Sequence, residues 1–83
     1  MEVSLVSPEK ILYTGEATMV ILRTLDGGDI AFLDNHAPFI GALAEGEVTV
    51  RSPEGDKKFA ASGGFVEVSN NVVTIVSDAA EAE

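Results

Sequence analysis

From residue 1 to residue 76 this chain sustains no helical period of useful length. Apolar residues recur instead at every second position, in short runs that turn residues interrupt. Met1, Val3 and Leu5 alternate with Glu2 and Ser4. Val48 and Val50 alternate with Glu47, Thr49 and Arg51, and Val66 and Val68 oppose Phe65 and Glu67. A period of two is the mark of a half-buried strand. Thr18–Thr24 is nearly continuous in apolar and β-branched residues, which predicts a strand buried on both faces or close to it. Punctuation comes from Ser7-Pro8-Glu9, Asp26-Gly27-Gly28, Glu45-Gly46, Pro53-Glu54-Gly55-Asp56, Gly63-Gly64 and Asn70-Asn71. Gly15 reads as a bulge or tight corner. Such spacing predicts an all-β fold of about eight to ten short strands, an antiparallel sandwich or barrel.

The tail breaks the pattern. Ser77–Glu83 is rich in Ala and Glu, and Asp78 and Glu81 have capping-box spacing. This predicts the first turn of a helix, too short to hold in water and therefore frayed. The expected division is a sandwich domain over residues 1–77 and a tail over 78–83, left by a short gene or by a cut at a domain boundary.

Eighty-three residues make one domain, which buries only about 60% of the surface its unfolded chain exposes. With 46% apolar residues and no cysteine, the fold rests on its core, without disulfides or thiolate metal sites. No apolar run approaches the roughly 18 residues of a membrane span, and the N-terminus shows no signal-peptide pattern. These features predict a soluble, intracellular protein. The formal net charge of −9 argues against nucleic acid and against an anionic membrane surface as partners. Most of the acids read as solvated strand faces and turns.

The stretch Gly27–Pro38 is chemically the most distinctive. A Gly-Gly turn opens into Ile30-Ala31-Phe32-Leu33 and closes with Asp34-Asn35-His36-Ala37-Pro38. His36 is the one histidine, so a multi-histidine metal site is excluded. A nucleophilic triad would need His36 as base, yet no nucleophile elbow is present, and Ser62-Gly63-Gly64 reads better as a plain turn. Asp26, Asp29 and Asp34 do not follow an EF-hand pattern. Neither glycine pair precedes a phosphate-binding Lys-Ser/Thr, and Lys57-Lys58 lacks the methionine flank of a biotinyl carrier. The residues thus assign no catalytic, cofactor-binding or metal-ligating role. They describe a small, acidic, all-β interaction module.

Several motifs, in order and in one register, resemble the ε subunit of F-type ATP synthases. They are Val3-Ser4-Leu5-Val6-Ser7-Pro8-Glu9, Gly15-Glu16-Ala17, Asp26-Gly27-Gly28-Asp29-Ile30, and Asn35-His36-Ala37-Pro38. Leu43-Ala44-Glu45-Gly46, Ser62-Gly63-Gly64-Phe65-Val66-Glu67-Val68 and Asn71-Val72-Val73-Thr74-Ile75-Val76 continue the series. The resemblance covers nearly the whole chain. Ala31 departs from it, standing where the family usually has glycine. The family's C-terminal helical hairpin, inhibitory in relatives and ATP-binding in some, has no counterpart in these residues.

The resemblance implies a flattened ten-stranded sandwich at the foot of the central stalk. It implies a non-catalytic rotor subunit of the F1Fo complex, on the cytoplasmic face of a bacterial plasma membrane, with the chloroplast thylakoid as the second location considered. The implied partners are the γ subunit of F1 and the c-ring of Fo, with no cofactor, no nucleic acid and no direct membrane insertion. Asp29 matches the acidic position associated with the c-ring loops, and His36 the histidine near γ. On spacing alone, Asp29 reads as a solvated turn acid and His36 as an imidazole capping its own loop. Gly27, Gly28, Gly63 and Gly64 read as fold glycines. The competing function is a free-standing acidic β-sandwich that binds a ligand or a protein. A deep polar pocket would favour that reading; a flat apolar patch would favour the stalk.

Overall fold

A computed structural model describes residues 1–83 as ten strands and no helix. In chain order these are β1 (Glu2–Ser7), β2 (Lys10–Glu16), β3 (Met19–Thr24), β4 (Gly28–Leu33) and β5 (Phe39–Ala42), followed by β6 (Gly46–Ser52), β7 (Gly55–Ala61), β8 (Gly64–Ser69), β9 (Val72–Ser77) and β10 (Ala80–Ala82). They form two five-stranded sheets. Sheet A has the order β2-β1-β9-β8-β5, and sheet B the order β10-β7-β6-β3-β4. All pairings are antiparallel except β1 with β9, which is parallel.

The alternation seen in the sequence becomes the sandwich interior. Val3 and Leu5, Val66 and Val68, and Val73 and Ile75 point inward from sheet A. Val20 and Leu22, Phe32, Val48 and Val50, and Phe59 and Ala61 meet them from sheet B. Full burial of each large apolar side chain is worth about 1.5–3 kcal/mol, so this layer is the main stabilising term. At the β8–β9 hairpin, Asn70 and Asn71 have φ of 52° and 63°. Two successive left-handed residues form the tight turn that matches the twist of the flanking strands.

Three local expectations give way to tertiary context. β3 is buried on one face: Val20, Leu22 and Thr24 face the core, while Met19, Ile21 and Arg23 face outward. Within residues 1–83 no second layer covers the outer surface of sheet B. The bulge lies at Leu12 rather than Gly15. Leu5 pairs with Tyr13 and Val6 with Ile11, so Leu12 is the extra residue, whereas Gly15 stays in register opposite Val3. The extra residue lets Leu12 and Tyr13 both pack against the core and turns Ile11 outward.

The tail is neither frayed nor helical. Ala80–Ala82 pairs with β7 through Ala80↔Ala61, Glu81↔Ala60 and Ala82↔Phe59, and Ala80 is buried in the core. Ser77 Oγ and the Ser62 amide both donate to Ala79 O, at 2.8 and 2.9 Å, and fix the turn into this strand. The open edge of β7 supplies hydrogen bonds that a lone helical turn would lack, and this outweighs the helix preference of Ala and Glu.

Candidate docking surface

The stretch Gly27–Pro38 runs along one side of the sandwich, from edge strand β4 of sheet B to edge strand β5 of sheet A. Its turn is held by Thr24, whose Oγ1 accepts the Gly27 amide at 3.0 Å and donates to Gly28 O at 3.2 Å. Gly28 has φ +70°, a conformation that suits glycine, and faces open space. Beside it Asp29 lies directly across from Arg23. Arg23 Nε donates to Oδ1 at 2.9 Å and Nη2 to Oδ2 at 3.4 Å, and both side chains are exposed. The hydrogen-bonded guanidinium holds the Asp29 carboxyl below the ordinary carboxylate range.

At the far end of β4, Leu33 O accepts the His36 amide at 3.1 Å, and Asn35 takes φ 62° between them. The Asn35 amide donates to Asn71 Oδ1 at 2.7 Å, and Asp34 Oδ1 accepts from the Met1 ammonium at 2.6 Å. His36 Nδ1 lies 2.7 Å from Ala37 O. Its ring meets Phe32 edge-on at 4.9 Å, and Phe32 in turn packs on Phe39 at 5.4 Å. His36 therefore ties its own loop to the core. Asp29 and His36 stand at opposite ends of β4 and form no joint site.

The second glycine pair has a stricter cause. A Cβ on Gly64 would lie 1.9 Å from Val76 O, so no side chain fits there. One on Gly63 would meet the Asp78 carboxylate at 2.8 Å. Across Gly27 the nearest atom to such a Cβ is Thr24 Oγ1 at 3.1 Å. Gly64 lets β8 lie hard against the end of β9 and sets the position of Phe65.

Phe65 belongs to a feature that no single strand reveals. Outward residues of sheet A line up across its strands as Ala42, Phe65, Val76, Val6 and Ile11. Phe65 is 44% exposed and Ile11 70%, while Val6 and Val76 are half-buried. Exposed Ile40 stands two residues from Ala42 on the same face of β5, and the Leu25 amide, in the exposed β3–β4 turn, donates to Ala42 O at 3.0 Å. With strands about 4.8 Å apart, the row runs about 19 Å across the sheet. It is a flat apolar patch on the surface of a small acidic domain.

The outer surface of sheet B is dressed differently. Arg23 pairs with Asp29, Arg51 with Asp56 at 3.0 Å, and Lys58 with Glu47 at 4.0 Å. A groove of 570 Å³ opens between the β1–β2 turn and β10, lined by Glu9, Lys10, Glu45, Glu47, Asp78 and Glu81 among others. Its lining is crowded with mutually repelling carboxylates. No buried side-chain polar atom in the molecule lacks a hydrogen-bond partner.

Residues 1–83 match the family described as the ATP synthase delta/epsilon chain, β-sandwich domain. The chain belongs to this family. An ATP synthase epsilon chain from Lactiplantibacillus plantarum is 43% identical over 100% of this chain and 60% of its own length. A sodium ion specific epsilon chain from Propionigenium modestum is 38% identical over 95% of this chain and 57% of its own. The chain thus spans about three fifths of such relatives. In the Euglena gracilis mitochondrial ATP synthase, in an OSCP/F1/c-ring structure, one chain superposes with a TM-score of 0.87 at 25% identity, covering 96% of this chain and 51% of its own length. A chain of the Tetrahymena thermophila mitochondrial central stalk and c-ring has the same fold, with a TM-score of 0.80 at 20% identity over 96% of this chain and 64% of its own. The sandwich expected for the delta/epsilon family is the one observed.

The sequence motifs point to Asp29 and His36 but not to the row. A partial signal existed: Phe65 stands outward beside Glu67, and Val76 and Val6 follow inward-facing Ile75 and Leu5. Assembling them requires the strand order of sheet A and the Leu12 bulge.

Proposed function

We propose that this chain is a non-catalytic central-stalk subunit of an F1Fo ATP synthase, joining γ to the c-ring so that ion translocation is coupled to ATP synthesis. The observation that carries the reading is the apolar row across the outer surface of sheet A. It is flat, as a protein-docking patch should be, and it lies on a stiff, closely packed sandwich suited to transmitting torque. In this reading γ seats on the row. The β3–β4 turn lies at the same end of the sandwich, since the Leu25 amide bonds Ala42 O and Thr24 bridges Leu43. That end would meet the polar loops of the c-ring. Asp29 contributes a carboxylate there, able to exchange Arg23 for a basic residue or backbone amides of the ring. His36 holds the loop leading into β5 and, in this reading, lies beside γ. The complex sits on the cytoplasmic face of a bacterial plasma membrane, and the chain binds no cofactor or nucleic acid and does not enter the bilayer. Its family membership and the F1/c-ring origin of the Euglena neighbour support this reading.

The test is a mixture of this chain with the γ subunit of the same synthase, analysed by size-exclusion chromatography at micromolar concentration. A stoichiometric complex is expected. Separate elution of two folded proteins would reject the reading.

A further inference from the structure

The row beside the apolar one on sheet A reads Ile40, Glu67, Thr74, Ser4 and Thr14. Glu67 is the one charge within the body of this surface, and it is exposed. It belongs to none of the ion pairs of the molecule. Its cross-strand neighbours, Ile40 and Thr74, are uncharged, and Phe65 stands two residues away on the same strand. The other outward charges of the face are Glu2 and Glu16, paired at its β1–β2 margin, where Glu16 lies 3.5 Å from the Met1 ammonium. The basic residues point elsewhere: Arg23, Arg51, Lys57 and Lys58 stand on strands of sheet B, and Lys10, the first residue of β2, lies across from Ser7 and lines the groove toward β10. The face is therefore apolar along one row, and beyond it every charged side chain is an acid.

We propose that Glu67 is a specificity-determining residue, and that the surface of γ seated on the apolar row presents a lysine or arginine to it. This rests on the reading of the sheet A face as the γ-docking surface. Charge complementarity selects the occupant. A second copy of this chain would bring Glu67, Glu2 and Glu16 against a face with the same acids, between two bodies of net charge −9; like charges brought together at an interface oppose association. A partner with an apolar ridge flanked by a cation meets both features. Ile40 and Phe65 lower the dielectric around Glu67, so its attraction to a cation is stronger than at a fully wet site and an uncharged partner would leave the carboxylate desolvated and unpaired.

The experiment measures γ binding, by titration calorimetry, to the full chain and to Glu67→Gln, Glu67→Lys and Glu54→Gln. Glu54 lies in the exposed β6–β7 turn, off this face, and its substitution changes net charge by the same amount as Glu67→Gln. Glu67→Gln is expected to weaken binding about tenfold and to flatten its dependence on salt, and Glu67→Lys to weaken it about a hundredfold or more. Glu54→Gln should bind as the unaltered chain does, and all variants should melt alike, because Glu67 holds nothing within its own chain. Equal binding by Glu67→Gln and Glu54→Gln would overturn the role of Glu67 while leaving the docking surface standing. Absence of γ binding to the unaltered chain would overturn the docking reading and this inference together. A concentration-dependent dimer broken by Phe65→Ser would give the face to a second copy, and so overturn the inference as well.

Discussion

The two sheets share one interior but wear opposite exteriors. Outside sheet B, charged residues stand directly across from opposite charges: Arg23 from Asp29, and Arg51 from Asp56. Outside sheet A, a row of apolar residues crosses five strands with an unpaired acid beside it. Inward patterning is nearly identical in the two sheets, so the fold does not demand the difference. A surface that stays in water satisfies its charges within the chain. A continuous row of uncovered apolar residues beside an unanswered acid is what the proposed docking requires, whereas on sheet B exposed Leu33 stands in a row interrupted by the Arg51–Asp56 pair. The contrast is the physical basis for assigning docking to sheet A.

The substitution Gly64→Ala should disrupt this contrast most severely, by removing the backbone approach that places β8 against β9. The added methyl collides with Val76 O, and a loss of about 3 kcal/mol or more is expected, read as a lower midpoint in urea unfolding. A midpoint unchanged from the parent would show that the β8–β9 contact yields easily and does not set the row.

A matched pair of charges sharpens it next. Phe65→Asp on sheet A and Leu33→Asp on sheet B alter residues that are 44% and 52% exposed. The first should weaken γ binding about a hundredfold, in the range of an aromatic interface anchor. The second should leave binding within about twofold, since a residue off the interface makes no contact to lose. Equal effects would erase the distinction between the faces.

Smaller effects belong to the ion pairs of sheet B. Asp29→Asn and Asp56→Asn should each lower the melting temperature slightly at low salt and not at 0.5 M salt, about where screening removes exposed pairs. A loss that persists at high salt would mean that these pairs are structural rather than surface dressing.

The smallest effect is in acid. The arginine partners hold the Asp29 and Asp56 carboxyls below their ordinary values. Their contribution is therefore complete above the unfolded carboxylate value of about 4, and is lost as pH falls through the lower folded values. Melting curves recorded from neutral pH downward should show a flatter acid limb in the Asp29→Asn, Asp56→Asn double variant than in the parent. Coincident limbs would remove these two groups from the acid response.

Most of the strands are legible in the sequence, because a two-residue period and its turn residues are local properties. β10 is not, because Ala-Glu-Ala carries helix propensity and only the waiting edge of β7 makes it a strand. Gly15 suggests a bulge because glycine permits one, yet the extra residue falls at Leu12, where two apolar side chains gain burial together. His36 draws attention by being unique, and its geometry shows Nδ1 and ring engaged with its own loop and with Phe32. The apolar row is hidden for a different reason. Each of its members looks like an ordinary exposed residue until register aligns strands far apart in sequence.

That alignment runs through the parallel pairing of β1 with β9, which sets Val6 beside Val76 and so joins strands far apart in sequence. The row exists only once the ninth strand has slid in beside the first. A chain still emerging from the ribosome, or one that has closed only its early hairpins, has Val6 and Ile11 but no continuous surface to offer. Docking on this face would thus act as a proofreading step in assembly: a partner that binds the whole row accepts sandwiches whose sheet has closed and passes over those still open, using the long sequence separation that makes such a topology slow to fold.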